Sequence, residues 1–168
     1  MTASNDPFST LRARLARARA ALLEAVTGLT ERDFAAPLEP RDPTGPEVGS
    51  APETVVGLLA ALVASEYAAV RSARSAISTL QSRPAQPALG EPPTRVLPPQ
   101  VVHGLAGARR ETALLLDAIE ATADPRGALD SPLERADDHP ETTVRSLLEA
   151  IARREDEAAT RIRARPGR

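Results

Sequence analysis

Apolar residues recur along this chain in four long stretches at steps of three and four, the spacing that lines one side of an α-helix. The first is the most regular: Phe8, Leu11, Leu15, Ala18, Leu22, Ala25 and Leu29. Asp6 before Pro7 supplies an N-cap and a proline at the first helical position, so the pattern predicts a helix from there to about Gly28. Thr30 and Asp33 form a capping-box signature for a short turn, with Phe34 as a lid on the bundle end. Prolines and glycines break the pattern from Ala35 to Ser50. Ser50, Pro52 and Glu53 then mark a fresh start, and a second helix is predicted to about Leu80 with Val55, Leu59, Leu62, Ala69, Ala73, Ile77 and Leu80 inward. Glu66 stands in that stripe where an apolar residue belongs.

Residues 83–98 are rich in proline and read as an extended connection. At about 3.1 Å per residue such a segment can run the length of a helix of roughly 39 Å, which permits a crossover between parallel helices. A third helix follows Pro99, with Val101, Leu105, Ala108, Leu115 and Ile119 on one face, and fades near Asp124 and Pro125. A loop then runs to His139. Pro140 opens the fourth helix, whose stripe is Val144, Leu147, Leu148, Ile151, Ala158 and Ile162, with Arg154 in the seam. The expectation is one domain over residues 1–165 and a frayed tail at 166–168. No strand pattern, internal repeat or phosphate-binding loop is present.

Composition narrows what such a bundle can do. The 168 residues carry a formal net charge of −2 and only Phe8, Phe34 and Tyr67 as aromatics, so the core must be built from Leu, Val and Ala. Small side chains bury little area, which implies modest stability unless chains associate. There is no cysteine, hence no disulfide, thiolate ligand or cysteine nucleophile. No apolar run is read as spanning a bilayer and Met1 to Thr10 lacks the parts of a signal peptide, so the expected location is the cytoplasm, away from membranes. All basic residues are Arg, which reads as the base composition of a GC-rich genome. The clusters Arg12, Arg14, Arg17, Arg19 and Arg161, Arg163, Arg165, Arg168 are therefore discounted as nucleic-acid patches, with no aromatic beside them to stack on a base.

Three stretches together resemble the DinB-like family of four-helix bundles, the group of YfiT-type metal-dependent hydrolases and mycothiol-dependent maleylpyruvate isomerases. They are LRARLARARAALLEAVTGLTERDF, TVVGLLAALVASE and HPETTVRSLLEAIARREDEAATRI. The resemblance implies an all-α four-helix bundle, up-down-down-up, with long connecting loops. It also implies a histidine in the second helix and a His-x3-His pair in the fourth, holding nickel, zinc or a similar ion. The matching positions here are Ala61, Arg154 and Ala158, and neither helix contains any histidine. Alanine has no lone pair, and a guanidinium repels a cation at bonding distance.

Arg154 and Glu66 both lie near the middle of their helices and point inward by periodicity. One reading pairs them, so that a fixed cation stands in for the metal; the other has each reach the surface and pair with neighbours such as Arg153 or Glu157. His103 should lie on the outer face of the third helix. Asp137, Asp138 and His139 read as capping ahead of Pro140. Ser65 has no histidine base beside it, and Glu66 could serve as a general base only if an apolar pocket raised its pKa. The resulting expectation is a catalytically degenerate DinB-like bundle, free of metal or other cofactor, that binds a small ligand or a protein partner as a homodimer. Ala61, Ser65, Glu66, Arg154 and Ala158 are its pocket candidates. The alternative is a thiol-dependent transferase, isomerase or hydrolase using a non-standard metal site that involves His103 or His139.

Overall fold

The computed structural model describes residues 6–38, 53–77, 98–133 and 143–165. Their order is α1 (Pro7–Val26), α2 (Glu31–Ala35), α3 (Val55–Ala76), α4 (Pro98–Glu120), α5 (Pro125–Leu129) and α6 (Val144–Arg163), with no strand among the described residues. The chain is all-α. The starts of α1, α2, α3 and α6 have local causes. The Asp6 carboxylate accepts from the N–H groups of Phe8 and Ser9, Thr30 and Asp33 complete their capping box, and Thr54 accepts from Gly57. Thr143 and Ser146 form a further capping box for α6. These side chains satisfy amide donors that the first helical turn leaves without partners.

Several boundaries differ from those the pattern predicts. α3 begins after Thr54, not at Ser50, and ends at Ala76, where Ile77 turns to extended backbone; Leu80 and Ser50 lie outside the described residues. α6 begins after Thr143, not at Pro140, because the threonine hydroxyl supplies the cap. The pattern predicts only loop after Pro125, whereas α5 forms there. Its signal is the same Asp-Pro pair that opens α1, here Asp124 accepting from Gly127 with Pro125 in the first turn.

Ion pairs and hydrogen bonds between helices fix their directions. Arg14 to Glu149, Arg19 to Glu155 and Arg163 to Glu24 run in the same sense, so α1 and α6 are parallel. α3 and α4 are parallel too: Gly104 faces Val63, Gly107 faces the Tyr67 hydroxyl, and Arg74 pairs with Glu111. Arg154 on Ser65 and Arg161 on Glu53 make α3 and α6 antiparallel. Arg12 on Asp117 and Arg19 on the Leu105 carbonyl do the same for α1 and α4.

The apolar interior is divided in two. One cluster gathers Phe8, Leu11, Leu15, Leu115, Leu116, Ile119, Leu147 and Leu148, closed at its end by Leu129 of α5. The other gathers Leu22, Val26, Phe34, Leu58, Leu59, Leu105 and Ile162. Between them lie the buried polar side chains Arg19, Glu66, Thr112 and Glu155. α3 is, by length and composition alone, long and apolar enough to cross a membrane, with 22 residues and a mean hydropathy of 1.4. This departs from the expectation that no run is apolar enough for that. Here its apolar residues Leu58, Leu59, Ala69, Val70 and Ala73 belong to the two clusters.

Candidate functional site

The polar layer at mid-height takes one or more residues from each of the four long helices. α1 contributes Arg19, α3 Glu66, α4 Arg109 and Thr112, and α6 Glu155. Glu66 and Glu155 each keep only 2% of their side-chain surface in contact with solvent, so neither charge is hydrated and both require internal partners. Arg19 serves both: its Nη2 lies 2.5 Å from Glu66 Oε2 and 2.5 Å from Glu155 Oε1. Its Nε donates to the same Glu155 oxygen at 2.8 Å, and its Nη1 donates to the carbonyl of Leu105.

The outer oxygens of both carboxylates are held from α4. Thr112 Oγ1 donates to Glu66 Oε1 at 2.7 Å, and Arg109 Nη2 donates to Glu155 Oε2 at 2.6 Å. Arg109 Nε stands 3.4 Å from Glu66 Oε1, near enough for charge attraction. Neither that nitrogen nor Arg109 Nη1 makes a hydrogen bond, although both are buried. Two guanidiniums and two carboxylates thus neutralise one another. Burial pushes the Glu155 carboxyl up from its ordinary range; Arg109 and Arg19 pull it back, and the Glu66 charge adds to the rise. The neighbouring Tyr67 phenol is also pushed up, first by burial and then by Glu111 and Glu66.

Of the two readings of Glu66 and Arg154, the mutual pairing is not the one formed. The guanidinium on Glu66 Oε2 belongs to Arg19, while Arg154 Nη1 donates to Ser65 Oγ at 2.8 Å, one position along α3. Helix spacing explains the miss. Leu148, Ile151, Glu155, Ala158 and Ile162 follow steps of three and four, so Glu155 holds the seam and Arg154 sits beside it. Arg19 likewise lies four residues beyond Leu15 and three before Leu22. In the sequence it stands in the cluster with Arg12, Arg14 and Arg17 that is discounted as a nucleic-acid patch, yet it is 7% exposed.

Of the predicted pocket residues, Ser65, Glu66 and Arg154 come together around a cavity of about 10 Å³ that Leu62, Ile151 and Glu155 complete. That volume accommodates a single water at most. Ala61 is exposed and Ala158 packs with Ala159 and Ile162 in the upper apolar cluster, so neither joins them. The positions the resemblance assigns to a metal therefore do not converge and offer no donor. Among the described residues no group of three or more His, Cys, Asp or Glu side chains could hold an ion. Asp137, Asp138 and His139 lie outside the described residues.

His103 is exposed on α4, as its spacing implies, and contributes to a feature the sequence did not reveal. An open groove of about 660 Å³ runs between the α1–α2 turn and the start of α4, lined by Leu29, Phe34, Pro98, Val102 and Ala106 with Glu31 and His103 as its polar members. No family model, curated protein or solved structure matches this chain.

Proposed function

We propose that this chain is a catalytically degenerate DinB-like four-helix bundle, up-down-down-up, that works as a non-catalytic binding module. One observation carries the reading: Arg19 and Arg109 neutralise Glu66 and Glu155, so the carboxylates at the centre are not free to hold a metal or move a proton. The parallel α1–α6 and α3–α4 pairs and the antiparallel α3–α6 and α1–α4 pairs support the helix order. Small-molecule binding then belongs to the groove beside Phe34 and Val102, whose volume and apolar lining suit a small apolar ligand, and not to the water-sized space at Ser65 and Arg154.

Metal analysis of the full chain purified without a histidine tag tests the first part; one nickel or zinc per chain overturns it. Ala106→Glu tests the second, because it adds charge at an exposed groove position without touching the core. An apolar fluorescent probe is expected to bind the parent chain and to lose at least about tenfold in affinity for the variant, the effect of roughly 1.4 kcal/mol. Equal binding to both rejects the groove. The reading extends to a homodimer that covers the exposed Leu23 and Leu114. Sedimentation velocity checks this, and a monomer at every concentration rejects it.

A further inference from the structure

The oxygens that receive Arg19 are organised by helices other than its own. Glu66 Oε2 and Glu155 Oε1 face the guanidinium because their partner oxygens are held by Thr112 and Arg109 of α4, and the third acceptor, the Leu105 carbonyl, is also α4 backbone. α1 supplies only the cation. We infer that α3, α4 and α6 form a preorganised binding site for a planar guanidinium group, which the chain fills with its own Arg19 as a tethered ligand.

Shape and charge both point to that ligand class. The guanidinium presents N–H groups in a fixed plane, and here Nε and Nη2 address Glu155, Nη2 also addresses Glu66, and Nη1 addresses Leu105. An ammonium gathers its three donors at one nitrogen, whereas the acceptors here are met by three nitrogens set apart in one plane. The two facing carboxylates make a neutral occupant unfavourable. The site is separate from the groove, since it lies between the two apolar clusters, and it draws on the same charge layer that supports the proposed function.

Arg19→Ala removes the side chain beyond Cβ and leaves a space matched by ethylguanidinium. Ligand binding to the folded state alone raises its stability with concentration. Addition of ethylguanidinium at about 50 mM is expected to raise the thermal midpoint of the variant by about 3 °C or more, while ethylurea, its neutral counterpart, does not. The parent chain, with its site filled, shows no such rise. If Arg19→Ala is unfolded alone, recovery of helical circular dichroism on adding ethylguanidinium supports the inference, and failure to recover overturns it. Arg19→Ala/Glu66→Gln, which removes one facing charge, is expected to need at least about tenfold more ethylguanidinium for the same rescue. Equal effects of ethylguanidinium on parent and variant, or rescue by calcium but not ethylguanidinium, overturn the proposal.

Discussion

At both ends of the bundle aliphatic side chains are buried, and at mid-height ions are. The lower cluster, from Phe8 to Leu148, owes its cohesion to area removed from water, and no atom in it requires one particular partner. The layer of Arg19, Glu66, Arg109 and Glu155 is directional: each carboxylate oxygen is assigned to a named donor, and each donor comes from a different helix than its acceptor. Loss of a methyl group below leaves a void. Loss of one charge at mid-height leaves its partners charged, dry and uncompensated, so the same size of change has the larger consequence there.

Glu155→Gln breaks this comparison most severely. It leaves Arg19 and Arg109 without their shared anion, and urea unfolding is expected to show a loss of about 3–5 kcal/mol. A loss under about 1 kcal/mol would show that the layer tolerates one positive charge in excess of its carboxylates. Leu129→Ala probes the sealed lower end: Leu129 is wholly buried on a five-residue helix, and removal of its isobutyl group is expected to cost about 2–4 kcal/mol in the same measurement. Thr143→Ala removes the hydroxyl that caps α6 and is expected to cost about 1 kcal/mol, read as a shift in denaturant midpoint at unchanged slope.

The smallest effect is electrostatic and lies at the surface. The Thr30 amide and hydroxyl, assisted by Arg165, hold the Asp33 carboxyl below its ordinary value of 3.8. A depressed acid stabilises the fold fully above that ordinary value, and the contribution disappears as pH falls through the lower folded-state value. Between about pH 5 and pH 2 the parent chain should therefore lose more thermal stability than Asp33→Asn. Parallel melting curves for the two across that range contradict the assignment.

The long helices were legible because six apolar positions in α1 and five in α3 repeat with helical spacing, and nothing in the tertiary structure opposes them. Their starts were less so. Ser50 and Asp138 resemble caps as well as Thr54 and Thr143 do, and only a hydrogen bond such as that from Gly57 to Thr54 chooses between them. The polar layer was half legible. Glu66 declared itself as a charge within an apolar stripe, but Arg19 and Glu155 stand among many other charges and gain meaning only from the separation of 136 positions that folding closes. The groove was not legible at all, because it joins Phe34 to Val102 across residues whose pattern carries no long-range pairing.

Two short backbone bridges, Pro37 with Thr54 and Pro132 with Thr143, clamp the chain immediately before α3 and α6. Each is reinforced by an adjacent amide, Leu38 to Glu53 at 2.7 Å and Val144 to Ser131 at 3.1 Å. The entry of each helix is thereby set by its clamp and not by the length of sequence spliced between the clamped residues. Because closure entropy grows only logarithmically with length, those two intervals are natural insertion points, where new peptide can be carried with the bundle itself left unaltered.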